Sequence, residues 1–311
     1  MEVIESERGM SIAQSGIERG FQMVRFLEKE LGDLDTKTVL DIGCGLGGIT
    51  IALASRCKFV VSMDYDIAKR LSVCKRRLRE RGVTNVFPVC GNCLQFPFSH
   101  ERFDLIILNG VMEWLGISDM TRNPRAIQQE VLQSVRALLK SDGVLYLAIE
   151  NRYYPANLIV DPHAKLPIVD YLPRKCADIF SYLITSKPYR TYIYSFWGLS
   201  RILSKASFRK RSFYVPLTNY MFPYEIVNIE DRKQLVQAIY RFRSGRFSAE
   251  YRTAIKGRTG RVKFFYFYFI TWLGLCKCAI TLFCCALPEI SLCSDNNKRF
   301  QWPVACNECN H

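Results

Sequence analysis

Asp41 stands two residues ahead of a glycine cluster, Gly43, Gly45, Gly47 and Gly48, and that spacing suits one kind of ligand. Glycines let the backbone turn tightly and approach a bound group where a Cβ would clash. A carboxylate just before such a turn repels a pyrophosphate and favours a ligand that carries positive charge. A second acid, Asp64, ends the apolar run 59–63, about 20 residues further on, where an acid commonly meets ribose hydroxyls. The groups able to move a proton lie elsewhere. Of the three histidines, His100 falls in a turn behind the sheet and His311 is terminal, so His163 is the candidate base. Glu113, Glu150 and Tyr153 are expected near the same edge as His163, and Glu113 and Tyr153 join it as candidate catalytic residues.

The elements that must position these groups are strands alternating with helices. Residues 39–42 form a short apolar run, the pattern of a strand covered on both faces, and residues 49–54 open a helix whose amino end faces the glycine turn. Further strands are read at 59–64, 86–90, 103–109 and 143–150, the last introduced by the Ser141-Asp142-Gly143 turn. A helix is read at 125–140, and helix and strand follow at 197–203 and 212–217. Such alternation implies right-handed crossovers, a doubly wound, mostly parallel α/β sheet, and a ligand at its carboxyl edge. An amphipathic helix over 12–31 closes over the ligand or packs on the sheet.

Strand, acid, Gly-x-Gly-x-Gly and a second acid together resemble the first motifs of the class I S-adenosylmethionine-dependent methyltransferases. The resemblance spans roughly residues 10–217. It implies a Rossmann-like sheet of seven strands and S-adenosylmethionine as the cofactor. It also implies Asp41 near the sulfonium and amino acid end, Gly43, Cys44 and Gly45 under the methionine portion, and Asp64 with Tyr65 at the ribose. Asn92 and Cys93 take the adenine position, where the family usually has an acid, and Asn109 ends the fourth strand facing the site. The Asn109-Gly110-Val111-Met112 sequence lacks the two prolines of enzymes that methylate amino groups of nucleic acid bases, and is similar instead to small-molecule and lipid methyltransferases. Glu150-Asn151-Arg152 followed by Asp161 and His163 more faintly resembles methyltransferases of cell-surface polysaccharide and glycolipid assembly.

The seventh strand of such a sheet is antiparallel, and residues 289–294 are the candidate for it. The domains expected are therefore an N-terminal helical segment (1–36), a methyltransferase core (37–217), a basic and apolar insertion (218–287), the last strand (288–296) and a tail (297–311). Within the insertion, 241–263 is densely basic with Glu250 its one acid, and 264–287 is apolar with Lys277 its one charge. That pairing suits docking on an anionic lipid surface. A spanning helix would place Lys277 near the bilayer centre at a cost of about 2.5 to 3.5 kcal/mol, so a monotopic helix, a re-entrant hairpin or a core helix pair is preferred.

With 311 residues, 49% hydrophobic and 23% charged, the chain suits one globular domain with an insertion, and its net charge of +14 favours an anionic partner. The basic run 75–81 is read as a solvated helix face. The first residues are acidic and polar, unlike a signal peptide, and thirteen cysteines then point to reduced thiols in the cytoplasm. Cys306, Cys309 and His311 lack a second ligand pair, so no metal is expected. The function read is O-methylation of a small-molecule, lipid or lipid-linked acceptor by a cytoplasmic protein peripheral on a membrane. RNA methylation, with nucleic acid as partner, and a non-catalytic membrane adaptor are the alternatives.

Overall fold

The computed structural model describes residues 2–161, 163–217, 223, 225–243 and 282–287. The chain opens with α1 (Glu2–Leu31), then alternates β1 (Thr38–Ile42), α2 (Gly48–Ala54), β2 (Phe59–Asp64), α3 (Ser72–Glu80), β3 (Val86–Cys90), β4 (Phe103–Asn109), α4 (Pro124–Leu138) and β5 (Leu139–Ile149). It continues through α5 (Arg174–Thr185), α6 (Phe196–Lys205), β6 (Lys210–Pro216), β7 (Ile226–Asn228), α7 (Arg232–Arg243) and β8 (Leu282–Leu287). The strands form one sheet in the order β3-β2-β1-β4-β5-β8-β6-β7. Its first five neighbours run parallel, whereas β8 is antiparallel to both β5 and β6. This is the doubly wound, Rossmann-like α/β arrangement expected, built around five parallel strands.

Hydrophobic patterning explains the two-sided core. Leu40, Ile42, Ile106 and Leu108 point to one face, where α4 buries Ile127, Val131, Leu132 and Val135 against them. Val39, Leu105 and Ile107 point to the other, against Leu27 of α1 and Leu53 of α2. Alternate residues of buried parallel strands go to opposite faces, which is why the strands read as unbroken apolar runs. Helix α4 starts sharply because Asn123 accepts a hydrogen bond from the Arg125 amide (2.9 Å) and Pro124 takes the first helical position.

Three expectations are corrected. The sheet has eight described strands where seven were expected, because the short edge strand β7 follows β6 through an antiparallel pairing of Tyr214 to Asn228. The antiparallel strand between β5 and β6 is Leu282–Leu287, inside the range assigned to the insertion; 289–294 lies outside the described residues. Cys284 and Cys285 pair with Leu147 and Tyr146 in the sheet interior, so the last part of the apolar segment 264–287 is strand. A strand paired on both edges inside a sheet and a lipid-facing segment are alike in apolar composition, so the sequence does not separate them. No helix among the described residues is long and apolar enough to cross a membrane. The basic segment from 244 to 263, the rest of 264–281, and the tail with Cys306, Cys309 and His311 lie outside the described residues.

Candidate active site

Strand β1 delivers Asp41 to the sheet's carboxyl edge and then breaks into the glycine turn. The Gly43 and Cys44 amides both donate to Met63 O (2.8 and 3.1 Å), tying the turn to the end of β2. Asp64 completes the tie, since its two carboxylate oxygens accept from the Gly45 and Asp66 amides (2.9 and 3.0 Å). Gly43 and Gly45 have φ of +69° and +55°, a region side chains rarely adopt. A Cβ on Gly43 would collide with Val111, whereas one on Gly45 would meet nothing nearer than Gly43 O at 4.0 Å. Gly45 thus borders open space of the kind a ligand fills. On the far side, Arg77 of α3 donates to Leu46 O (2.5 Å). Arg77 is buried, an exception in the run 75–81, whose Lys75, Arg76, Arg79, Glu80 and Arg81 are exposed as the solvated face expected.

Asp41 is buried and accepts a hydrogen bond from Thr50 Oγ1 (2.6 Å). Burial pushes its pKa up to about 6, with the Thr50 bond and the charge of Arg19 opposing and Asp64 adding to the rise. A buried carboxylate beside a glycine turn is relieved by a positively charged ligand, so these residues fit a sulfonium- and ammonium-bearing nucleoside such as S-adenosylmethionine. Among the other cofactor candidates, Cys44 is buried within the turn, and Tyr65 is exposed with the Arg70 guanidinium 5.9 Å from its ring. Asn92 accepts from the Leu94 amide (3.0 Å) and shapes the loop after β3. Cys93 packs against the core, burial raising its thiol to about 12. Asn109 ends β4, paired with Ala148 of β5.

A second cluster sits beyond the ends of β4 and β5. The 3-10 turn Met112–Ile117 follows Val111, the residue that packs on Gly43, and carries Glu113. Glu150 comes directly after β5. His163 Nε2 lies 3.6 Å from Glu150 Oε2 and 3.9 Å from Glu113 Oε1, and its Nδ1 lies 3.4 Å from Asp161 Oδ1. The Trp114 ring stands edge-on to the imidazole at 4.9 Å. Burial first, then the neighbouring Glu150, holds the Glu113 carboxyl well above the usual range. For His163, burial acts to lower the pKa, but Asp161 and Glu150 outweigh it and the net shift is upward. Two of the three catalytic candidates, His163 and Glu113, are therefore brought together. The third, Tyr153, is held at the rim by the Tyr171 ring (5.5 Å) and the Arg152 guanidinium (5.6 Å).

Residues that carry no reactive group fix this cluster. Buried Gln128 donates to Met112 O and Tyr192 O (both 2.8 Å) and accepts from Tyr194 OH (2.5 Å), locking the Glu113 turn to the 189–194 segment. Arg190 grips the same turn through Gly116 O (2.9 Å). Asp161 Oδ2 caps its own turn by accepting from the His163 amide (2.9 Å) and the Ala164 amide. Behind it, buried Asp170 accepts from Tyr189 OH (2.5 Å) and Asn157 Nδ2 (2.8 Å), its pKa raised to about 7 by burial and by Asp161. Thr50, Gln128 and Asp170 gave no sequence signal, since each is an isolated polar residue whose role is set by partners far along the chain. Glu150 was visible at the end of an apolar run.

Residues 33–178 match a family model described as a methyltransferase domain. A ubiquinone biosynthesis O-methyltransferase of Histophilus somni is 29% identical over 159 residues, 50% of this chain and 62% of that protein. An uncharacterized protein of Rickettsia prowazekii is 25% identical over 116 residues, 37% of this chain and 43% of that one. Among solved structures, phosphoethanolamine N-methyltransferase 1 of Haemonchus contortus, in complex with phosphoethanolamine and S-adenosylhomocysteine, has 23% identity and a TM-score of 0.37, covering 44% of this chain and 26% of that one. The chain spans less than two thirds of the length of these curated relatives. Residues 33–178 are thus a methyltransferase domain, of the class I S-adenosylmethionine-dependent kind.

Proposed function

We propose that the chain methylates a hydroxyl oxygen of an amphiphilic acceptor, a lipid or lipid-linked glycan, at the cytoplasmic face of a membrane. The observation that carries this reading is the convergence of Glu113, Glu150 and His163 at the sheet edge, next to the glycine turn through Val111. Curated relatives named O-methyltransferases support the oxygen acceptor. When bound, S-adenosylmethionine would supply an electrophilic methyl on sulfur, the O–C bond to the acceptor replacing the C–S bond, whose electron pair would return to sulfur. Asp41 offsets the positive charge before transfer. Gly43, Cys44 and Gly45 would border the methionine portion, Asp64 and Tyr65 the ribose, and Asn92 and Cys93 the adenine. The hydroxyl proton passes to the carboxylate and imidazole cluster and from there to solvent.

Exposed apolar groups favour an amphiphile over a fully polar acceptor. Leu158, Ile159 and Val160 follow the strand-end segment, and Ile179, Tyr182, Leu183 and Ile184 stand exposed on α5. Apolar side chains exposed in such groups mark contact with lipid or another apolar surface. Labelled methyl transfer to a whole-cell extract, partitioned into organic, water-soluble glycan and RNA fractions, tests the reading. Label in the organic or lipid-linked glycan fraction, absent with Asp41→Ala, is the expected result. Label in RNA would replace it by the nucleic acid alternative, and cofactor binding with no label by the adaptor.

A further inference from the structure

We propose that Glu113, Glu150 and His163 bind one divalent transition-metal cation, such as Mn2+ or Zn2+, beside the cofactor turn. One ligand atom from each residue lies within 4.8 Å of the others. The separations of 3.6 and 3.9 Å from His163 Nε2 to the two carboxylates exceed hydrogen-bond length. They approach the spacing of about 3 to 3.5 Å that ligands take when they share one ion at about 2.1 Å. The second, independent observation is Glu113 itself. Its side chain is 1% exposed, and neither carboxylate oxygen has a hydrogen-bond partner. A carboxylate in that position is costly unless something positive completes it.

The surroundings of His163 match those of a metal ligand. Asp161 faces Nδ1 at 3.4 Å and accepts from the backbone of its own turn, which leaves the Nε2 lone pair directed at the two glutamates. A carboxylate behind a ligating imidazole fixes the tautomer and raises its basicity. Two carboxylates and one imidazole, without sulfur, suit Mn2+ or Zn2+ better than a soft ion. The role of the ion rests on the proposed oxygen methylation, whereas its binding does not. With the ion in place, the acceptor hydroxyl would be a further ligand of lowered pKa, and the three side chains would act on its proton through the ion instead of accepting it directly, the proton leaving to solvent before the O–C bond forms.

The full chain, stripped with chelator and titrated with Mn2+ alone, tests the site without turnover. Free-ion paramagnetic resonance should show one bound ion per chain, with nitrogen coupling that changes when the protein carries 15N-histidine. Glu113→Gln and His163→Asn should each weaken binding by at least about tenfold, and Asp161→Asn by about tenfold, while S-adenosylmethionine affinity stays at the wild-type value. No ion bound below millimolar concentration by the wild-type chain, or a bound ion without histidine coupling, would overturn the proposal, as would variants that bind as tightly as wild type. A bound ion in a chain that methylates nothing would refute the proposed function and leave the site standing.

Discussion

Thr50 Oγ1 donates a 2.6 Å hydrogen bond to Asp41 Oδ2 in the interior, joining α2 to the end of β1. The bond lowers the cost of burying a charge that serves the cofactor, without removing it. Asp41 has a folded pKa of about 6, raised mainly by burial, against an ordinary value near 4. The unfolded chain therefore releases this proton at lower pH than the folded chain.

It follows that the cofactor-free protein loses stability as pH rises from about 4 to about 6, by up to about 3 kcal/mol from this group. Thermal melts across that window should show the decline, and Asp41→Asn should flatten it. Cofactor binding should run the opposite way, weakening below pH 6 as Asp41 protonates. Calorimetric titration at pH 5 and pH 7.5 reads both the affinity and the coupled proton release.

Gly43 and Gly45 should fail differently. Gly43→Ala meets Val111 at a φ of +69°, so it displaces the neighbouring turn and costs about 1 to 3 kcal/mol of stability. Gly45→Ala, with a φ of +55° and no neighbour nearer than 4.0 Å, should cost less stability but fill the space bordering the ligand. A melt combined with a cofactor titration separates them: both variants bind weakly, and Gly43→Ala also melts markedly lower.

Gln128 holds the Glu113 turn through three hydrogen bonds in a buried position. Gln128→Leu leaves Met112 O, Tyr192 O and Tyr194 OH without that partner, at about 1 to 3 kcal/mol for each buried group left unsatisfied. Steady-state kinetics should show kcat falling at least tenfold with little change in KM for the cofactor. An equal effect on cofactor KM would mean that the two halves of the site are not separately positioned.

Strand β8 fills the gap between β5 and β6, antiparallel to both. A chain ending at Arg243 should expose two facing sheet edges in the middle of the core and aggregate. Size-exclusion chromatography and circular dichroism check this; a monomeric, folded product would show that residues 282–287 are dispensable to the sheet.

The parallel half of this sheet was legible because each strand carries its own signal. Val39, Leu40 and Ile42 read as a buried strand, Asp41 and the glycines read as a cationic ligand's turn, and the paired strands lie where expected, except that β5 starts at Leu139 and runs through the turn read at 141–143. The mixed half was not, because β8 is fixed by pairing with Leu145 to Ile149, more than a hundred residues earlier, and its apolar residues satisfy a lipid reading equally well. Likewise His163 and Glu113 stood out by chemical type. Their partnership with Glu150 and Asp161, and the bolting of Glu113 by Gln128, depend on loops that local pattern does not encode.

The most direct measurement compares wild type with Glu113→Gln and His163→Ala, each titrated with S-adenosylmethionine and then assayed for labelled methyl transfer into the organic and lipid-linked glycan fractions of a whole-cell extract. The account predicts cofactor affinities within about threefold of one another, and transfer reduced at least a hundredfold in both variants, about 2.7 kcal/mol of lost transition-state stabilisation. Wild-type rates of transfer in either variant would contradict the assignment of the acceptor end of the site to this cluster.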